Sequence, residues 1–155
     1  MGFIGAPDQG EQNMGSIVVG VDRSDTARKA AEQAADLAAK LGTDLHIVMC
    51  AERKKGVQVN VGTDSWQTDW LTDARQFLEA LGRKIGSGTV TTSVSEGDPA
   101  KAICEEADRL DADLIVVGNK RVHGLARVLG SVAGDVMKNA HCDVYVANTT
   151  APSPD

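Results

Sequence analysis

Aromatic residues are scarce in this chain of 155 residues, where Phe, Trp and Tyr together make up only 3 %. Hydrophobic residues still reach 42 %, close to the average of globular proteins. Wholesale disorder and fibrous structure are thereby excluded, and the core must be built from Val, Ile, Leu and Ala. At roughly 150 residues per domain, the length predicts a single domain.

The chain also lacks paired cysteines. Cys50, Cys104 and Cys142 lie far apart, and no CxxC pair occurs, so neither a zinc knuckle nor a redox-active dithiol is predicted. His46 and His141 show no metal-ligand spacing. A few isolated cysteines are typical of a protein kept reduced, and we therefore expect a cytoplasmic location.

An excess of positive charge and long apolar runs are missing as well. Lys and Arg number 16 against 22 Asp and Glu, which gives a net charge of −6. Because nucleic-acid backbones are bound by clustered Lys and Arg, we expect no nucleic-acid partner. No apolar run approaches the roughly 20 residues that span a bilayer, and residues 1–15 lack the basic region of a signal peptide. We therefore expect no membrane partner.

Short apolar runs alternate with helical patterns between residues 16 and 149. The apolar runs predict five strands, at 17–21, 45–50, 89–94, 114–117 and 144–147. Apolar residues three and four apart predict helices between them. This alternation is typical of an α/β fold with a mostly parallel sheet. Residues 1–15 and 150–155 are predicted to be flexible tails around one domain at 16–149.

Several single residues carry local predictions. Ser24 is expected to cap the first helix, and Gly42 is expected to end it. Asp98 before a proline is predicted to cap the third helix rather than to act as an acid catalyst. Val128 is expected in the fourth helix. Met49 and Met137 are expected in the core.

The segments after the first and fourth strands hold the candidate site, because open α/β sheets bind ligands where strand order reverses. Glycines at 118, 124 and 130 favour close approach of the backbone to a ligand. Gly130 and Ser131 precede the last helix, whose free N–H groups suit a phosphate. Residues 118–138 carry a net charge of +3 in an acidic chain. An exposed, solvated basic loop would explain the same features.

Several segments in the same order along the chain resemble the universal stress protein family over about residues 16–149. They are Val19–Ser24, Glu96–Ile103, Ala112–Asn119 and Leu129–Val132 with Cys142–Val146. The resemblance implies an α/β fold of the Rossmann-like, adenine nucleotide alpha hydrolase-like type. It implies one open five-stranded parallel sheet of order 3-2-1-4-5, with helices on both faces.

The resemblance further implies a homodimer and, in the ATP-binding branch, a bound nucleotide. The dimer would form through the fifth strand, at Val144, Tyr145, Val146 and Ala147, which no later helix covers. The ligand would be ATP, or else ADP, AMP or cyclic AMP, with Mg²⁺ held through the phosphates. The implied binding residues are Val21, Asp22, Cys50, Gly118, Asn119, Arg121, Gly124, Gly130, Ser131 and Val132.

The ATP-binding branch carries the motif G-x2-G-x9-G-[ST], which this chain matches incompletely. Gly118 fits the first glycine, and Gly130 with Ser131 fits the final pair. Arg121 replaces the second glycine, and eleven residues instead of twelve separate Gly118 from Gly130. Gly124 is a displaced middle glycine in this interpretation. Arg121 would either block the phosphates or bind them through its guanidinium.

Two residues have alternative roles. Asp22 either accepts a hydrogen bond from a ribose hydroxyl or caps the first helix. Cys50 either lies against the adenine or is a buried structural thiol. Ser131 is a candidate phosphate ligand with no general base evident beside it.

Four functions therefore remain open. The favoured one is a sensor or regulator that binds an adenine nucleotide. The alternatives are a stress protein that acts only through protein partners, a slow ATPase or phosphotransferase, and a cyclic AMP binder.

Overall fold

The computed structural model describes residues 15–51, 63–86, 88–119 and 130–149, in which the chain forms five strands and four helices. The strands are β1 (Ser16–Val21), β2 (Asp44–Ala51), β3 (Val90–Glu96), β4 (Leu114–Gly118) and β5 (Asp143–Ala147). The helices are α1 (Asp25–Leu41), α2 (Thr63–Ile85), α3 (Pro99–Arg109) and α4 (Ser131–Asn139). The predicted alternation of strands and helices is confirmed.

The five strands form one parallel sheet of order β3-β2-β1-β4-β5. At its centre, Val19 on β1 is the register partner of Ile47 on β2 and of Val116 on β4. The chain runs outward from β1 to β3 and then returns to the other side of β1 to form β4. Strand order therefore reverses between β1 and β4, and the expected fold and strand order are confirmed.

The helices cover the two faces of the sheet in pairs, α1 with α2 and α3 with α4. Because successive strand residues point to opposite faces, Ile17 and Val19 pack under α1 and α2, whereas Val18 packs under α3 and α4. These two layers, which we call the α1–α2 layer and the α3–α4 layer, make up the hydrophobic core.

The predicted helix ends at 24, 42 and 98 are confirmed. The Ser24 hydroxyl accepts a hydrogen bond from the N–H of Ala27 at 3.1 Å. Gly42 ends α1 in the left-handed conformation, with φ of +66°, which a residue without Cβ adopts most easily. The Asp98 carboxylate accepts hydrogen bonds from the first N–H groups of α3, at 2.9 and 3.3 Å.

The two methionine predictions had opposite outcomes. Met49 is buried in the α1–α2 layer, as expected. Met137 is 54 % exposed, so its assignment to the core was wrong. α4 has only nine residues and buries Ala133 and Val136. Met137 follows Val136 by one residue and is rotated about 100° away from the buried side. The predicted helical position of Val128 lies outside the described residues.

Candidate functional site

A cavity of about 390 Å³ opens at the carboxyl ends of β1 and β4, where strand order reverses. This is the position at which open α/β sheets bind ligands. The residues that line it come from β1, β2, β4, the turn between β1 and α1, and the N-terminal parts of α1, α3 and α4. They are Gly20, Val21, Asp22, Ser24, Thr26, Ala27, Val48, Cys50, Pro99, Ile103, Val117, Gly118, Val132 and Ala133.

The turn from β1 into α1 holds the polar part of the cavity wall. The Asp22 carboxylate accepts a hydrogen bond from the N–H of Ser24 at 2.8 Å, while the Ser24 side chain caps α1. Asp22 therefore helps to shape the turn, and it stays exposed at the cavity. Since an ionised carboxylate has about four acceptor positions, Asp22 can accept further hydrogen bonds from a ligand.

The neighbouring Arg23 side chain is engaged with another helix. Its guanidinium lies over the ring of Phe77 on α2, 5.2 Å from the ring centroid. Such a cation–π contact contributes roughly 0.5–1 kcal/mol at an exposed site. It connects the β1–α1 turn to α2. Arg23 is not among the residues that line the cavity.

One wall of the cavity is apolar and is formed by β2 and α3. Val48 comes from β2, and Pro99 and Ile103 lie one turn apart on α3. The Cys50 thiol lies at the end of this wall and donates a hydrogen bond to the carbonyl of Gly97 at 3.3 Å. Cys50 is half-buried and lines the cavity. Such a wall can bury a flat apolar ring, with a few polar groups around it to fix its orientation.

Glycines in β1 and β4 allow the helices to pack closely around the cavity. A Cβ on Gly20 would lie 2.3 Å from Cδ1 of Ile103, and a Cβ on Gly118 would lie 3.1 Å from Cγ2 of Thr26. A side chain at either position would therefore crowd the neighbouring helix, so that Ile103 would have to move at Gly20 and Thr26 at Gly118. At Gly118, this crowding by α1 is a more specific reason for a glycine than the close approach to a ligand that is expected from the sequence.

The N-terminus of α4 contributes partial positive charge to the cavity. Gly130 is the N-cap residue and supplies no side-chain hydrogen bond, and its backbone is extended, with φ −64° and ψ 161°. The first N–H groups of a helix have no partner within the helix and favour negative charge. Val132 and Ala133, in the first turn of α4, line the cavity directly. An anionic group of a ligand therefore has a suitable place there.

The structure brings most of the predicted site residues to one end of the sheet. Those that line the cavity are Val21, Asp22, Cys50, Gly118 and Val132. Gly130 and Ser131 lie at the start of α4 beside it. Arg121 and Gly124 lie outside the described residues.

Asn119 directly follows β4, and its two oxygen atoms have different surroundings. Its backbone carbonyl accepts a hydrogen bond from the hydroxyl of Thr149 at 2.7 Å. Its side-chain oxygen is buried and has no hydrogen-bond partner within the described part of the chain. The segment after β5 is thereby connected to the end of β4, next to the cavity.

Sequence reasoning missed the apolar wall. Val48 precedes Cys50 by two residues in a strand and so shares its face, and this spacing could have suggested it. Pro99 and Ile103 had no comparable signal, because only the packing of α3 against β1 and β2 brings them to the cavity.

Two kinds of feature are absent from the described residues. These residues contain no group of three or more His, Cys, Asp or Glu residues that could hold a metal ion. Within the same part of the chain, no helix is long and apolar enough to cross a membrane.

Two solved structures share this fold. A universal stress protein in complex with cAMP is 25 % identical, with a TM-score of 0.66 over 89 % of this chain and 99 % of that chain. The universal stress protein from Archaeoglobus fulgidus in complex with dAMP is 26 % identical, with a TM-score of 0.60 over 84 % of this chain and 95 % of that chain.

Sequence comparison points to the same family. A universal stress protein of Methanocaldococcus jannaschii is 33 % identical over 148 residues, which cover 88 % of this chain and 84 % of the relative. The model of the universal stress protein family matches residues 14–148. On the strength of its sheet order, its relatives and this match, the chain belongs to the universal stress protein family.

Proposed function

We propose that this protein binds an adenine nucleotide, with ATP favoured, in the cavity between the ends of β1 and β4, and thereby acts as a sensor or regulator in a stress response. The observation that carries the proposal is that one cavity combines an apolar wall, a carboxylate and a helix N-terminus. These three features suit the base, the ribose and the phosphates of a nucleotide, respectively.

The base would lie against Val48, Cys50, Pro99 and Ile103. This wall is contributed by two elements and is apolar apart from the Cys50 thiol, which donates a hydrogen bond to the carbonyl of Gly97. Burial of apolar surface supplies about 25 cal/mol per Å², so a buried adenine ring would contribute much of the affinity.

The ribose and the phosphates would extend from there towards the polar side of the cavity. Asp22 would accept a hydrogen bond from a ribose hydroxyl, and the N–H groups at the start of α4 would bind a phosphate, with Gly130 and Ser131 closest to it. Mg²⁺ would be held chiefly by the phosphates, since magnesium usually keeps few protein ligands. The two solved relatives that hold cAMP and dAMP support an adenine nucleotide as the ligand class.

Cyclic AMP is the second candidate ligand, because one of the solved relatives contains it. The cavity would receive its single phosphate at the start of α4 in the same way. Parallel titrations with ATP, ADP, AMP and cyclic AMP rank the four ligands. A preference for cyclic AMP over ATP would replace ATP in the proposal and leave the site unchanged.

A melting experiment tests nucleotide binding. A ligand present at about 100 times its dissociation constant adds about 2.7 kcal/mol to the free energy of unfolding. For a domain of this size, that raises Tm by roughly 5–10 °C. If none of the four nucleotides shifts Tm at millimolar concentration, the function through protein partners alone is supported instead.

The incomplete glycine motif is tested separately by Arg121→Ala. If the Arg121 guanidinium binds the outer phosphates, the loss of a charge-assisted hydrogen bond weakens ATP binding about ten- to hundredfold. AMP lacks the outer phosphates and should lose little affinity. Tighter ATP binding by the variant would instead mean that Arg121 obstructs the site.

We further propose that the protein forms a homodimer through β5. This strand lies at the edge of the sheet, and its Tyr145 is 46 % exposed. Exposed edge strands favour pairing with another strand, and two-fold symmetric dimers are the commonest assemblies.

Light scattering should give a mass of about twice 16.3 kDa. A monomeric mass at micromolar concentration would contradict the dimer. Tyr145→Pro should weaken it, if the N–H of that residue faces the partner.

A further inference from the structure

His46 on β2 is a buried imidazole that lies away from the nucleotide cavity. It is 4 % exposed, and its neighbours Leu45 and Ile47 point into the α1–α2 layer. Its own side chain therefore points to the opposite face, where it contacts Glu106 on α3 and two hydroxyl groups on β3. His46 takes no part in the proposed nucleotide site.

Both ring nitrogens of His46 are hydrogen-bonded. Nε2 lies 2.9 Å from Oε2 of Glu106, and Nδ1 lies 2.6 Å from Oγ1 of Thr91. Arg109 donates two hydrogen bonds to the Glu106 carboxylate, at 2.9 and 2.8 Å. Chiefly for that reason, the pKa of Glu106 is lowered to about 2, and the carboxylate is ionised at neutral pH.

The ionised carboxylate fixes the direction of the hydrogen bonds. Glu106 can only accept, so Nε2 of His46 must carry the proton that is donated to it. Burial lowers the pKa of His46 below its ordinary value, so the ring is neutral near pH 7 and Nδ1 has a free lone pair. The Thr91 hydroxyl must therefore donate its proton to Nδ1.

Thr91 is accessible from solvent, unlike the ring that it contacts. It lies on β3, which is the outermost strand on its side of the sheet, and the residue is exposed. Ser93 lies two residues further along the same strand, but its hydroxyl is 3.0 Å from Nε2 and donates to Glu106 at 3.2 Å. Of these two hydroxyl groups, only that of Thr91 reaches the basic nitrogen.

We propose that Thr91, His46 and Glu106 form a hydroxyl–imidazole–carboxylate relay in which Thr91 is a nucleophile that accepts an acyl group from activated esters. A hydroxyl becomes a nucleophile when a base takes its proton, and the base is effective when a carboxylate orients it and stabilises its charged form. Thr91 supplies the hydroxyl at the surface, His46 supplies the buried base, and Glu106 supplies the partly buried carboxylate.

With p-nitrophenyl acetate as the ester, the acylation involves only the ester, Thr91 and His46, followed by loss of a proton to solvent. Oγ1 of Thr91 bonds to the acyl carbon, and the bond from that carbon to the phenolic oxygen breaks. The hydroxyl proton moves to Nδ1 of His46, and p-nitrophenolate leaves with the electron pair. The imidazolium next to Glu106 then loses a proton to solvent, which restores the neutral ring beside acetylated Thr91.

The surroundings of His46 predict the pH profile of the acylation. The groups that face it are Glu106 and Arg109 from α3 and the uncharged Thr91 and Ser93 from β3, and its register partner on β1 is Val18. The acylation rate should rise with pH as His46 loses its proton. The midpoint should lie below 6.5, because burial lowers the pKa of this ring.

The experiment treats the full-length protein with p-nitrophenyl acetate, follows release of p-nitrophenolate, and locates the acetyl group by mass spectrometry of peptides. The wild type should acquire an acetyl group on Thr91. Thr91→Val keeps the β-branched shape and should slow acylation about 10²-fold, since general-base catalysis contributes at least that much. Thr92→Val is the matched control on the same strand. Thr92 is the register partner of Ile47 and points to the opposite face of β3 from Thr91, so this variant should retain the wild-type rate.

Two further variants keep the test decisive. Glu106→Gln should reduce the acylation rate at least tenfold, because a neutral amide no longer stabilises the imidazolium. Thr91→Ser keeps a hydroxyl at the same position and should restore acylation if the valine variant has lost it. The proposal is overturned if Thr91 remains unmodified, or if the midpoint of the pH profile of wild-type acylation lies above 6.5.

Discussion

The two faces of the sheet are built in different ways, and neighbouring residues of β2 show the difference best. Ile47 is fully buried in the α1–α2 layer, beneath the alanines of α1. His46 is 4 % exposed and points into the α3–α4 side, where it is hydrogen-bonded to Glu106. One face is held together by apolar packing, whereas the other also contains groups that titrate.

The cavity proposed to bind a nucleotide lies largely on the second of these faces. Of its lining residues, Val48, Ile103 and Ala133 belong to the α3–α4 layer. Val48 follows His46 by two residues on the same face of β2, and Ile103 precedes Glu106 by one turn of α3. The α1–α2 layer is therefore an apolar core, whereas the other side holds the buried His46–Glu106 pair and the apolar wall of the cavity.

The largest effect is expected from Ile47→Ala. Removal of a fully buried isoleucine leaves a cavity under α1 and should lower the free energy of unfolding by about 2–5 kcal/mol. Denaturation in urea at pH 7 measures this change. The loss should be the same at pH 5, since the described residues that are buried in one cluster with Ile47 are all apolar. A loss that varied with pH would contradict the distinction between the faces.

A smaller effect, dependent on pH, is expected from the His46–Glu106 pair. Burial outweighs the attraction of Glu106 and lowers the pKa of His46 from 6.5, so the unfolded chain takes up this proton more readily. The related stability is complete above pH 6.5 and declines as the pH falls towards the folded-state pKa. Glu106, with its pKa lowered from 4.5 to about 2, contributes stability that is lost between these values.

Glu106→Gln tests that assignment. The variant should lose about 1–3 kcal/mol at pH 7, because Arg109 and His46 lose a charged acceptor. The decline in stability below pH 4.5 should become shallower, since the glutamine does not titrate. Urea midpoints collected from pH 3 to pH 8 for both proteins provide the measurement. Superimposable pH profiles would show that Glu106 does not contribute to the pH dependence of stability.

The smallest effect is expected from Met137→Lys. This residue is 54 % exposed on α4, and surface substitutions of this kind change stability by no more than about 0.5 kcal/mol. Ala133→Lys, on the buried side of the same helix, serves as the contrasting variant and should be strongly destabilising. If Met137→Lys proves equally harmful, that surface is covered in solution, for example by a second copy of the chain.

Local features of the sequence predicted much of the fold. Ser24, Gly42 and Asp98 were correctly placed because capping depends on hydrogen bonds between close neighbours in the chain. The sheet order came from resemblance to a family, since hydrophobic patterns give no pairing order. Met137 was misplaced because an apolar residue type does not show which side of a short helix it occupies.

The candidate site was predicted only in part, for a similar reason. Asp22 and Gly118 follow or end strands, and the fold places such positions at the cavity. Pro99 and Ile103 reach the cavity through the packing of α3 against the sheet, which no local pattern encodes. The contact of His46 with Glu106 joins residues 60 positions apart, so neither residue signalled the other in the sequence.

Calorimetric titration of the wild type and Gly130→Val with ATP, AMP and cyclic AMP tests the central claim most directly. Gly130 has φ of −64°, so valine fits the backbone but places a branched side chain at the start of α4. Gly134→Ala, one turn further along α4, is the control. Nucleotide binding at the start of α4 predicts one nucleotide bound per chain of the wild type and of the control, and none bound by Gly130→Val. It is contradicted if the wild type binds no adenine nucleotide at millimolar concentration, or if Gly130→Val binds as tightly as the wild type.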